Sequence, residues 1–223
     1  GSALLIGGEP GIGKSTLLRE YKRMCQRRGH VAALVPLSPL PLAQSLFDGI
    51  RGIVEGILRA LPVSGDRLRR IADAFESIGI SLFGFQIVLK RKEGQLQPHI
   101  VLHDTLRKLC HALADDSHML VVLLDDLDNY LAFPELLPLL KSVLSMDSLR
   151  QEKLLMGMAC PSRKWDLLAS PGTEQPDPQY FLRSILLKPL TEDEVRDTIQ
   201  KSLHGTGITF ASEVVRRVFE ITL

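Results

Sequence analysis

Residues 8–15 read Gly-Glu-Pro-Gly-Ile-Gly-Lys-Ser, an unbroken G-x-x-x-x-G-K-[ST]. The apolar run at 3–6 reads as a buried strand, and a helical pattern begins at 16–21. The chain must therefore run strand, glycine-rich turn, helix. Gly8, Gly11 and Gly13 let the backbone take conformations that side chains resist and let an anion approach closely. The loop's N–H groups converge, and the positive end of the following helix adds attraction. Pro10 stiffens the loop but donates no N–H, so the cradle falls to its neighbours Glu9, Ile12 and Thr16 as well as the glycines. Lys14 would reach the β- and γ-phosphates of a nucleotide, and the Ser15 hydroxyl would ligate Mg²⁺.

The rest of the chain supports one large α/β fold. Of its 223 residues, 45% are hydrophobic and 24% charged, which is enough for a substantial core. A net charge of +1 excludes a global basic field for nucleic acid, leaving local patches. Cys25, Cys110 and Cys160 are scattered and form no C-x-x-C, which excludes a disulfide framework or structural zinc and fits a reducing, cytoplasmic setting. No uncharged run approaches membrane-spanning length, so no membrane partner is expected.

Strands expected at 3–6, 31–35, 119–124, 154–159 and 184–187 alternate with helical patterns, the mark of a parallel sheet covered by helices. The run 119–124 is the strongest buried strand. Residues 62–99 form an irregular insert, with a helix over 66–75 and a β-hairpin or short extra strands within 78–90. The core is expected over 1–190. Thr191 followed by Glu194 forms a capping box and opens a helical subdomain, 191–223, expected to be truncated.

Asp125 and Asp126 close the strongest strand at the edge where parallel sheets bind ligands. Asp125 is the candidate Mg²⁺ residue, and Asp126 the candidate base for an attacking water. A further strand lies between the loop and these acids, which suits enzymes that insert a strand there. The end of the fourth strand offers Cys160, Ser162 and Arg163 for contact with the γ-phosphate or the water. Ser162 and Arg163 are preferred, because a thiol is a poor hydrogen-bond partner.

These residues resemble the AAA+ and STAND branches of the phosphate-loop ATPases. The shared segments are GEPGIGKST at 8–16, LVVLLDD at 120–126, Ser162-Arg163, and ILLKPLTEDEV at 185–195. The resemblance is nearest to archaeal-type ATPases and the origin-recognition group. It implies a three-layer core with sheet order 5-1-4-3-2, ATP or ADP as nucleotide, Mg²⁺ as cofactor, and a nucleotide held between core and lid. It further implies ATP hydrolysis that drives remodelling or loading, with DNA as a candidate partner and self-association through the nucleotide face. A slow signalling switch and a binding-only pseudoenzyme are the alternatives. Asp125-Asp126 stands where AAA+ motors carry Asp-Glu and is common among STAND switches. Arg183 is the nearest candidate for an arginine finger. The loop also resembles that of RecA-like repair proteins, but these place a catalytic Glu after strand 2, and 31–45 contains no acidic residue.

His99 and His103 could share a helix face with Asp104 but are expected to be ordinary surface histidines. Arg19, Lys22, Arg23, Arg27 and Arg28 make the first helix basic, which reads first as a solvated face and second as a nucleic-acid contact.

Overall fold

A strand that is apolar on both faces needs cover on both sides, and Leu120–Asp125 (LVVLLD) is buried along its whole length. The computed structural model describes residues 2–37, 46–61, 69, 71, 80–83, 86–89, 97–113, 118–130, 135–162 and 183–222. In chain order these residues form β1 (Ser2–Gly8), α1 (Lys14–Arg27), β2 (Val31–Pro36), α2 (Leu46–Ala60), β3 (Ile80–Phe83), β4 (Gln86–Leu89), α3 (Pro98–Leu113) and β5 (Leu120–Asp125). There follow a 3₁₀ turn (Leu127–Tyr130), α4 (Leu136–Ser145), α5 (Asp147–Arg150), β6 (Leu154–Pro161), β7 (Arg183–Leu186), α6 (Glu192–Leu203) and α7 (Ser212–Thr222).

The main sheet has five strands in the order β2-β5-β6-β1-β7, and every pairing is parallel. Counted along the chain and read from the β7 edge, the order is 5-1-4-3-2, as expected. The antiparallel ribbon expected within 78–90 is present as β3 and β4, with Ile80 opposite Leu89 and Phe83 opposite Gln86. The expected helix over 66–75 falls almost wholly outside the described residues.

Period-two alternation sorts the sheet's side chains into two layers. Leu5, Val35, Val122, Leu124, Met156 and Met158 join a core with Ile50, Ile53 and Ile57 of α2, Leu102, Leu106 and Leu109 of α3, and Leu140 of α4. On the other face Ile6, Ala32, Val121, Leu123 and Ala159 are buried, and α1 contributes Leu18 and Cys25. Burying a leucine such as Leu18, which is fully buried, stabilises by about 1.5–3 kcal/mol.

The register does what the site requires. Gly8 stands opposite Pro161, and Pro36 opposite Asp125. The loop after β1, the acids after β5 and the end of β6 therefore emerge at one carboxyl edge.

The chain divides into two compact units, Gly1–Leu186 and Leu187–Leu223. The second contains α6 and α7, and α6 carries the expected capping box. The Glu194 N–H donates to Thr191 Oγ1 (3.3 Å), and the Thr191 N–H donates to Glu194 Oε2 (2.8 Å). The Thr191 N–H, and secondarily the Thr191 hydroxyl, donate to Glu194 Oε2 and hold that carboxyl below its ordinary value. Among the described residues no helix is long and apolar enough to cross a membrane.

Candidate functional site

β1 runs straight into a tight loop in which the Ile12 N–H donates to the Glu9 carbonyl (3.2 Å). Gly11 (φ 84°) and Gly13 (φ 99°) are in the left-handed region, where a Cβ is strained. A Cβ at either position would meet nothing within 4 Å. The demand for glycine here is thus conformational, and the space beside it stays open. Gly13→Ala should cost about 1–2 kcal/mol and lower the melting temperature by roughly 2–8 °C at this chain length. A thermal melt of the purified variant checks this.

Gly13 is also the N-cap of α1, and no side chain caps it. The first-turn N–H groups have no intrahelical acceptor and, with the helix dipole, make an anion site. Lys14 Nζ donates to the carbonyls of Gly8 and Glu9, both at 2.8 Å, so the ammonium is held across the loop.

Facing this loop are the acids after β5. Pro10, Gly11, Gly13, Lys14, Ser15 and Thr16 on one side, and Asp126, Asp128 and Pro161 on the other, line one cavity of about 470 Å³. That volume lies in the range of small-molecule sites. Asp125 is buried behind it, with Oδ1 accepting from the Asp126 N–H (3.1 Å) and its carbonyl accepting from the Leu37 N–H (3.0 Å). Asp126 (φ 55°) is left-handed, alone among the described non-glycine residues. Its carboxyl is pushed up by partial burial, then by the charges of Asp125 and Asp128, and pulled down by Lys14. Asn129 ties the 3₁₀ turn to both neighbours: its N–H donates to the Asp126 carbonyl (3.0 Å) and its side-chain amide to the Leu37 carbonyl.

Of the residues singled out in the sequence, Gly8, Glu9 and Ile12 frame the loop without lining the cavity. Ser162 donates its hydroxyl to Glu9 Oε1, bracing the loop from the end of β6. Cys160 is fully buried, and its thiol is pushed up to about 11, chiefly by burial and secondarily by Asp128, so it is inert at neutral pH. Arg163 lies outside the described residues, as does the side chain of Arg183. Asp128 was not foreseen. An acid in the stretch after a strand reads as a solvated turn, and only the D-D-x-D spacing at 125–128 marks it. His103 is not an ordinary surface histidine: its Nδ1 pairs with Asp104 Oδ1 (2.9 Å) and its Nε2 with Ser148 Oγ (2.7 Å), joining α3 to α5.

The donors here, the Ser15 hydroxyl and the carboxylates, are all oxygen, the set that a hard divalent cation takes. Among the described residues no three His, Cys, Asp or Glu could hold a metal unaided. An Mg²⁺ ion here would take its other ligands from phosphate and water.

A family profile described as an AAA ATPase domain matches residues 1–156. The chain belongs to this family. This AAA ATPase domain is similar to the Walker-type ATPase PABY2304 of Pyrococcus abyssi (TM-score 0.56, 17% identity, 98% of this chain and 57% of that one). It is also similar to the ORC2 protein of Aeropyrum pernix, solved in ADPNP and ADP complexes (TM-score 0.54, 16% identity, 99% and 50%). At these identities the likeness is one of fold, and it bears out the resemblance to archaeal-type and origin-recognition ATPases. The DNA repair protein RadA of Brucella abortus (strain 2308) is 31% identical over 120 residues, covering 52% of this chain and 22% of that protein. The chain thus spans a fifth to about a half of the length of these relatives.

Proposed function

We propose that this domain binds ATP with Mg²⁺ and hydrolyses it by in-line attack of water on the γ-phosphate. The observation that carries the reading is the single cavity shared by Lys14, Ser15, Asp126 and Asp128. Lys14 and the first-turn N–H groups of α1 would hold the phosphates and stabilise the charge that develops as the γ-phosphoryl leaves. Asp126 would orient the water and take its proton, which suits a carboxyl pushed above its ordinary value. Ser15 and Asp125 would hold Mg²⁺, the latter through water, and the ion would supply neutralisation of phosphate charge. Ser162 and Arg163 are proposed to contact the γ-phosphate side, and 191–223 to begin a helical lid subdomain. Self-association through the nucleotide face belongs to the same reading.

Remodelling or loading on DNA is the proposed use, supported by the likeness to a DNA repair protein and to an ORC protein. A slow nucleotide switch is the second reading. It is favoured by the short acid at Asp126, held in a strained backbone. Phosphate release from ATP by the purified domain tests the proposal. Release that stops on chelating divalent cations is expected, whereas tight ATP binding with no release under any condition would reject hydrolysis.

A further inference from the structure

Helix α1 turns Leu18 and Cys25 to the sheet, and its opposite face carries a row of arginines. Arg19, Arg23 and Arg27 recur every fourth residue and are all exposed, and Arg28, the C-cap residue, is exposed as well. At 1.5 Å per residue the three span about 12 Å along one side of the helix. Glu20 is the lone acid of α1 and pairs with Arg23 at 3.3 Å, both side chains remaining largely in water. Such a pair is weak and leaves Arg23 available. Arg19, Arg27 and Arg28 have no acidic partner among the described residues.

A chain with net charge +1 that gathers this much positive charge on one exposed helix face presents a local field for a polyanion. Each strand of duplex DNA carries about one charge per 3.4 Å of the axis, so a 12 Å stripe runs past about three or four phosphates of one strand. The exposed residues of α1 include no aromatic side chain on which an unpaired base could stack. The charge complementarity therefore fits a duplex backbone, bound without regard to sequence.

We propose that the Arg19–Arg23–Arg27 face of α1 is a docking surface for the phosphate backbone of double-stranded DNA. The same helix begins at the phosphate loop, so one rigid element joins this surface to the nucleotide cavity. The inference deepens the DNA reading above and rests on it, but does not require hydrolysis.

The test is anisotropy of a labelled duplex of about 30 base pairs, titrated with the protein at several salt concentrations, with the triple variant R19Q/R23Q/R27Q alongside. The protein should bind the duplex in preference to a single strand of the same length, and salt should weaken binding steeply. The triple variant should lose about tenfold or more in affinity, and the slope of log K against log salt should shallow by about 2–3. Its ATP binding and thermal melt should match the parent, which separates a lost contact from a lost fold. Duplex binding that the triple variant keeps would overturn the surface and leave the DNA reading standing. No duplex binding by the parent, or binding only to anionic lipid vesicles, would overturn both.

Discussion

A Lys14→Ala variant is expected to lose nucleotide affinity by about 10²–10⁴-fold and to show no ATP turnover. The ammonium sits at the cavity wall and already donates to the Gly8 and Glu9 carbonyls at 2.8 Å. It therefore needs little reorganisation to meet a phosphate. Hydrogen bonds to charged groups contribute about 1.5–3 kcal/mol each, and every 1.4 kcal/mol is about tenfold in affinity. Two such bonds to phosphate oxygens give the expected range. The fold should survive, because Lys14 is partly exposed and α1 is anchored by Leu18 and Cys25 on its other face. Lys14→Arg should not rescue, because a planar fork cannot replace a point charge in a tight loop. Titration with a fluorescent ADP analogue reads the effect. An affinity within about threefold of the parent would mean that the loop N–H groups alone hold the nucleotide, against the role given to Lys14.

What could be read from the sequence followed how local each signal was. The loop at 8–15 is a contiguous pattern whose every residue has a backbone reason, and the structure places Gly11 and Gly13 at positive φ. The acids of β5 could be read because an apolar run ending in two carboxylates has few other uses. The sheet order is a non-local property. It came from the resemblance, and the parallel register of β1 with β6 and of β5 with β2 then brought the loop and the acids to one edge. Asp128 was missed for the opposite reason. Its place at the cavity depends on a four-residue 3₁₀ turn held by Asn129 to the end of β2, a tie spanning 92 positions of sequence. The hydrogen bond from Ser162 to Glu9 spans 153 positions and is equally invisible to spacing arguments. His103 looked like surface because its partner, Ser148, lies on a short helix that has no periodic pattern of its own.

Asp126→Asn is expected to lower ATP turnover by about 10²–10⁴-fold, the range for a positioned general base, while leaving nucleotide binding intact and raising stability at neutral pH. Asparagine suits the test because it tolerates the left-handed backbone found at φ 55°, where alanine would add strain. The stability gain follows from the crowding of carboxylates. Burial and the charges of Asp125 and Asp128 raise the Asp126 pKa, with Lys14 opposing. The folded state thus holds this proton more tightly than the unfolded chain does. The contribution is present below the unfolded carboxyl pKa and is lost as pH rises through the higher folded value. Above that window the ionised Asp126 is a liability that asparagine removes. Melting temperatures of the two proteins should therefore diverge as pH rises above the ordinary aspartate range of about 4, with the variant higher at neutral pH. Screening by solvent keeps the difference small, since the side chain is exposed. A variant that melts higher yet turns over slowly would mark Asp126 as a residue retained for chemistry at some cost in stability. Turnover kept within about threefold would take the base role from Asp126 and pass it to Asp128, the other carboxylate lining the cavity.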